Sequence, residues 1–164
     1  FLNLFRDQLD RYGEVDSVAE GWRGALATAG EATTLVLNGD DLIGRADLKR
    51  LGEVPAGILV HSVGTPEAFG IVFAKPDGTL EHIIEKPQGL PAPQMANIGG
   101  YVFPRSVFDL TLTLSPRNEY EITEAVAKLA EQGPFHVVRS DYWLPIGDID
   151  QWCWSQLKDV GPVR

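Results

Sequence analysis

Residues 33–41 read TTLVLNGDD. Thr33 to Asn38 form a short β-branched and apolar run, which suits a strand covered on both faces, the buried parallel strand of an α/β sheet. Gly39 closes the strand in a turn and leaves Asp40 and Asp41 at its carboxyl end. Ligands bind at that end of an open α/β sheet, so a carboxylate there is placed for chemistry. Asp40 can hold Mg²⁺ through one oxygen while the ion keeps waters and takes phosphate oxygens, and Gly39 lets the backbone come close to a ligand. Taken alone, Asn38 to Asp41 reads more simply as a turn whose carboxylates cap the next helix.

The pattern continues outward in alternating elements. A short helix is expected over Ala46 to Leu51 and a second buried strand over Ala56 to Val63. Gly70 to Ala74 and Thr79 to Glu85 flank Pro76-Asp77-Gly78, a hairpin signal in which proline presets φ and glycine takes the positive-φ position. Pro87 to Pro93 cannot join a central ladder, and Gly99 to Phe103 resumes as a strand. Ser115 can cap a helix with Pro116 at its first position and Glu119 and Glu121 in its early turns. Ile122, Val126, Leu129 and Ala130 fall on one face before Gly133 ends it. Phe135 to Arg139 reads as a strand, and Asp148 with Gln151 is a capping-box variant opening a last helix that carries Trp152 and Leu157. This order predicts an α/β, three-layer, Rossmann-like domain over residues 1–164, with a mixed, mostly parallel sheet and an inserted β-hairpin.

The 164 residues carry a formal charge of −9, from 14 Lys plus Arg against 23 Asp plus Glu, and no Lys/Arg-rich stretch interrupts the acidity. Nucleic acid is therefore disfavoured as a partner, and none is expected. Anionic substrates would need a divalent cation or a few well-placed basic side chains. Cys153 is the single cysteine, so no intrachain disulfide forms and a reducing compartment is expected, with the thiol as a small buried group. No apolar run reaches the roughly 20 residues that span a bilayer, and no signal-peptide pattern opens the chain. A cytoplasmic, non-membrane protein is expected, with a homo-oligomer left open. The three histidines, His61, His82 and His136, fall in expected strands without metal-ligand spacing. The chain opens at Phe1 on an amphipathic stretch that reads as the inside of a domain, so a preceding segment is expected.

Six short motifs follow one another in register: Asn38-Gly39-Asp40, Phe69-Gly70, Glu85-Lys86-Pro87, Asn97-Ile98-Gly99, Glu119-Tyr120-Glu121-Ile122-Thr123 and Trp143-Leu144-Pro145-Ile146-Gly147. In order and approximate spacing, over roughly residues 20 to 155, they resemble the sugar-1-phosphate nucleotidyltransferase family. The resemblance implies a Mg²⁺-dependent transfer of a nucleoside monophosphate from a nucleoside triphosphate to a sugar 1-phosphate, with release of pyrophosphate. It implies that Asp40 holds the metal and that Gly70, Glu85, Lys86 and Asn97 line the sugar-phosphate pocket, while Gly21 and Gly39 face the nucleotide. Gly99 reads either as room for close approach of the sugar or as relief of crowding in a strand, and Trp143 either as a sugar-stacking platform or as a core residue. The residue types suit these tasks: Glu85 can accept hydrogen bonds from sugar hydroxyls and Lys86 can neutralise a phosphate.

The chain also departs from the family pattern. The family opens with a strand and a Gly-rich loop, approximately G-x-G-T-R-x-x-P, that grips the triphosphate, and residues 1–164 hold no counterpart; the domain is expected to be N-terminally incomplete and inactive without that loop. Trp22 and Arg23 stand where the base-contacting Gly-Thr-Ala-Gly-Ala-Leu has small residues. Pro145 occupies the place of a second metal-binding aspartate, with Asp148 as its substitute or, more simply, as a helix N-cap. Two alternatives therefore accompany the enzyme reading: a catalytically inactive relative that binds a sugar phosphate or nucleotide sugar, and an assembly module using the tryptophan-rich segment Trp143, Trp152 and Trp154.

Overall fold

The computed structural model describes residues 33–115, 118, 120–158 and 162. In chain order it contains β1 (Thr33–Leu37), β2 (Asp41–Ile43), α1 (Arg45–Gly52), β3 (Gly57–Val63), β4 (Gly70–Ala74), β5 (Leu80–Glu85), β6 (Gln94–Pro104), α2 (Ile122–Gln132), β7 (His136–Arg139), β8 (Trp143–Pro145) and α3 (Ile149–Ser155). The main sheet runs β5-β4-β6-β3-β7, with β1 also paired to β6. β3 follows one edge of β6 from Gly57 opposite Val102 to Val63 opposite Gln94, so β4 and β1 share the other edge in series.

The sheet is mixed, as expected, and among the described strands antiparallel pairings outnumber parallel ones. Among the described strands only β3 and β7 pair in parallel, while β1–β6, β3–β6, β4–β5 and β4–β6 are antiparallel. The cause is β6, which re-enters after the hairpin and the proline-broken loop and occupies the centre running against its neighbours. β1 is likewise antiparallel and half-buried along its length rather than a buried parallel strand.

Three layers follow from the alternation of side chains along β3 and β6. Ile58, Val60, Tyr101 and Phe103 face α2 and pack with its Val126 and Leu129. Leu59, Val102 and Ile98 face the opposite way and pack with Leu51 of α1. Where both faces are covered, β3 carries the apolar run Ile58-Leu59-Val60, which is why it reads so clearly as a strand. Each large aliphatic side chain fully buried in these layers contributes roughly 1.5–3 kcal/mol of transfer free energy.

The hairpin forms where expected. Lys75 N donates to Thr79 O at 2.8 Å, Gly78 N donates to Lys75 O at 3.0 Å, and Gly78 takes φ +82°. Asp77 Oδ1 accepts from Thr79 N at 2.9 Å and Thr79 Oγ1 at 2.6 Å, bonds that hold its carboxyl below the usual range. β6 is longer than read from the sequence, starting at Gln94 rather than Gly99. The α2 helix starts later than the Ser115-Pro116 signal implies: Asn118 N donates to Ser115 O at 2.8 Å in a turn, and helical geometry begins at Ile122. No helix among the described residues is long and apolar enough to cross a membrane.

Candidate functional site

Two motifs a hundred residues apart in the chain form one small ladder. β2 pairs antiparallel with β8, Asp41 opposite Pro145 and Ile43 opposite Trp143. Ile146 N extends it by donating to the Asp40 carbonyl at 2.8 Å. A Cβ on Gly147 would lie 3.0 Å from Asp40 Oδ2, so this glycine leaves the carboxylate its space. Asp40 itself is exposed, and its carboxylate accepts no hydrogen bond among the described residues. Gly39 is exposed with nothing near its Cβ direction, so no packing demand explains a glycine there.

Asp41 has the opposite environment. Trp143 Nε1 donates to its Oδ1 at 2.6 Å and Asn38 Nδ2 to its Oδ2 at 3.3 Å. Burial, with the Asp40 charge adding to it, outweighs these bonds and pushes the Asp41 carboxyl up to about 6. A carboxyl raised above its unfolded value of 3.8 favours folding in its protonated form, a contribution complete below about pH 4 and lost as pH rises through about 6. In metal-free protein, Asp41→Asn is expected to remove that loss, so that the stability difference from wild type grows between pH 4 and pH 6 in favour of the variant. Urea midpoints across that range check it.

The other candidates gather from the hairpin and β6. Gly70 pairs with Glu85, and a Cβ on Gly70 would come 3.0 Å from Glu85 Oε2 and 3.2 Å from Thr123 Cγ2. Lys86 is exposed at φ +44°, an uncommon conformation for a non-glycine residue, and its N donates to Phe69 O at 3.0 Å. Asn97 Nδ2 donates to the Tyr101 hydroxyl at 2.6 Å, and Gly99 N donates to Asn97 Oδ1 at 3.1 Å. Gly99 also ties this motif to the Asp40 loop: Asn38 N donates to Gly99 O at 2.8 Å, and at φ +76° a Cβ on Gly99 would fall 2.1 Å from Asn38 Nδ2. Conformation and space both demand glycine at that point.

Tyr101 joins the two halves. Burial raises its phenol above the usual range, against the Asn97 bond, and the charges of Glu85 and Asp41 raise it further, so both carboxylates act on this one hydroxyl. Asn97 is thus bonded to Tyr101, a residue that sequence reading passed over; its position four residues after Asn97, across two glycines, was the available signal. Trp143 lines the same region, its ring 5.6 Å from Phe69 edge-on and 5.7 Å from His61.

Asp148 acts as the N-cap of α3: its Oδ1 accepts from Gln151 N at 2.7 Å, and Gln151 Oε1 accepts from Gly147 N at 3.0 Å. No group of three His, Cys, Asp or Glu side chains arranged for a metal occurs among the described residues. His61, His82 and His136 lie in β3, β5 and β7. Cys153, expected to be buried, is exposed on α3, because that short helix turns Trp152, Cys153 and Trp154 toward solvent. Gly21, Trp22, Arg23 and Glu119 lie outside the described residues.

Set against known proteins, residues 7–159 match the family described as Nucleotidyl transferase. The chain belongs to the nucleotidyl transferase family. It is 34% identical over 163 residues to the low-salt glycan biosynthesis nucleotidyltransferase Agl11 of Haloferax volcanii, covering 88% of this chain and 45% of that protein. The bifunctional protein GlmU of Methanococcus maripaludis is 35% identical over 117 residues, covering 69% of this chain and 28% of the relative. The chain therefore spans less than half the length of these curated relatives. Among solved structures, an apo UDP-glucose pyrophosphorylase superposes with a TM-score of 0.67 at 19% identity over 81% of this chain and 56% of that one. A UDP-glucose pyrophosphorylase from Acinetobacter baumanii gives 0.62 at 25% identity over 81% and 52%. The mixed sheet with helices on its faces is thus the Rossmann-like arrangement of nucleotidyl transferases.

Proposed function

We propose that this nucleotidyl transferase chain carries the sugar-phosphate side of a site that transfers a nucleoside monophosphate from a nucleoside triphosphate to a sugar 1-phosphate. The observation that carries the reading is the tie between the Asp40 loop and the Asn97-Gly99 motif, Asn38 N donating to Gly99 O at 2.8 Å, with Asp40 left open beside Gly147. In this reading Glu85 accepts from sugar hydroxyls, Asn97 offers its carboxamide, and Lys86 neutralises the phosphate as a compact charge. Gly70 and Gly99 keep the pocket free of side chains, Trp143 forms its wall, and Gly39 lies toward the nucleotide. The phosphate oxygen of the sugar attacks the α-phosphorus, the bond to the β-phosphate breaks, and pyrophosphate departs with both bonding electrons. Holding the attacking oxygen in line is the protein's main task, and no side-chain nucleophile is required.

The fit to a cation rests on the donor set. Asp40 offers a hard carboxylate oxygen with no protein partner among the described residues, whereas Asp41 is committed to Trp143 and Asn38. One carboxylate suffices for Mg²⁺, which commonly keeps waters and takes substrate phosphate oxygens for the rest of its shell. Bound there, the ion supplies neutralisation of phosphate charge. Asp148 contributes through α3 capping.

Pro145 motivates the second reading, a relative that binds sugar phosphate without turnover. The two separate in an assay of the full-length protein with Mg²⁺, each common nucleoside triphosphate and a panel of hexose 1-phosphates, reading pyrophosphate release. At least one pair is expected to turn over. Saturable calorimetric binding of a sugar phosphate without release would favour the second reading, and neither signal would overturn both.

A further inference from the structure

Tyr101 is 1% exposed, and its ring stacks on Phe103 with centroids 5.2 Å apart and planes at 12°. Phenylalanine would fill that space as well, so packing alone does not call for the hydroxyl. A buried phenol oxygen is costly unless bonded, and this one is bonded by Asn97 Nδ2 at 2.6 Å. Residues four apart on a straight strand sit about 13 Å apart. Here Gly99, at φ +76°, bends β6 between the two, and its own N–H donates to Asn97 Oδ1 at 3.1 Å. The carboxamide orientation is set by this pair of bonds: turned over, it would aim its NH₂ at the Gly99 N–H, donor against donor. One N–H and one oxygen lone pair of Asn97 remain for a ligand. Asn97 is half-buried rather than enclosed in the core. Burial and the nearby charges of Glu85 and Asp41 keep the phenol protonated over the working pH range.

We propose that Tyr101 is a positioning residue of the sugar-phosphate pocket, its buried hydroxyl locking the Asn97 carboxamide in the orientation that recognises the sugar. This rests on the reading of Asn97 as a sugar-phosphate contact. The role belongs to the hydroxyl: the aromatic ring serves the core, the oxygen serves Asn97. Loss of the oxygen would free the carboxamide to rotate, weakening sugar recognition while leaving the triphosphate side untouched.

The test uses full-length wild type, Tyr101→Phe, Asn97→Ala, the double variant and Phe103→Leu, which disturbs the same aromatic stack without touching Asn97. In Tyr101→Phe the KM for the sugar 1-phosphate is expected to rise about tenfold, with kcat and the KM for the triphosphate within about twofold. In the Asn97→Ala background the same change should add nothing. Phe103→Leu should lower the melting temperature and leave the sugar-phosphate KM in place. Equal rises in both KM values, additivity with Asn97→Ala, or a KM rise in Phe103→Leu matching that of Tyr101→Phe would reduce Tyr101 to a core residue and overturn the proposal. An independent reading is the side-chain amide resonance of Asn97 in unliganded protein, which Tyr101→Phe should shift; an unmoved resonance overturns the proposal whatever the turnover. Wild type that turns over no substrate pair while this resonance shifts would count against the proposed reaction and for the lock.

Discussion

Replacing Asp47 with alanine is expected to lower the unfolding free energy by about 3–5 kcal/mol, because three donors lose their acceptor at roughly 1–3 kcal/mol for each one left buried. Asp47 is 1% exposed on α1, and its carboxylate accepts from Ser140 Oγ at 2.8 Å, Asp141 N at 3.1 Å and Tyr142 N at 3.0 Å, besides pairing with the Arg50 guanidinium. Arg50 is substantially exposed, so its pairing adds little; the cost comes from the hydroxyl and two backbone N–H groups left without their acceptor. Arg50 also donates to Arg139 O at 3.0 Å and pairs with Asp141 at 2.8 Å, which makes residues 139–142 a segment pinned to α1. That segment leads directly into β8 and Trp143. Urea denaturation should show the midpoint falling with the slope unchanged, and Asp47→Asn should recover part of the loss, since one amide oxygen can still accept. A change below about 1 kcal/mol would show the network to be dispensable.

Asp40→Ala should behave in the reverse way, with activity falling at least about a hundredfold, the scale seen when one charge-stabilising group is removed from a transition state. Its carboxylate is exposed and unpartnered among the described residues, and the contact that holds the loop, Ile146 N to the Asp40 carbonyl at 2.8 Å, belongs to the backbone and survives the substitution. Stability should therefore stay within about 0.5 kcal/mol of wild type. Two aspartates seven residues apart in sequence are thus expected to carry opposite burdens, one structural and one chemical, since one is buried among donors and the other faces solvent. Melting curves and turnover measured on the same preparations separate the two effects.

Much of the layer order was legible because local rules act alone there. The Pro76-Asp77-Gly78 turn, the apolar run of β3 and the α2 face of Val126 and Leu129 each follow from propensity and period. Strand direction was not legible. Nothing within Gln94 to Pro104 says that it runs antiparallel at the centre of the sheet, since pairing is decided by how the hairpin and the Pro87–Pro93 loop return the chain. Ser115-Pro116 misplaced the start of α2 because a serine before proline suits a turn as well as a helix cap. At the site, Asp40, Glu85 and Asn97 stood out through chemistry-bearing side chains in motifs, whereas Tyr101 and Asp47 did not. Tyrosine in an apolar strand reads as core, and an aspartate in an amphipathic helix reads as solvated surface. Only tertiary contacts reveal that one oxygen meets Asn97 and the other meets Ser140.

The central claim is that Asp40 and the Glu85–Asn97 pocket serve one nucleotidyl transfer. Exchange of labelled pyrophosphate into nucleoside triphosphate by the full-length protein, with Mg²⁺ and a nucleotide sugar present, tests it most directly. Exchange is expected with Mg²⁺, is expected to stop when the ion is chelated, and is expected to fall at least about a hundredfold in folded Asp40→Ala. No exchange from wild type across the nucleotide sugars, or undiminished exchange in Asp40→Ala, would contradict it.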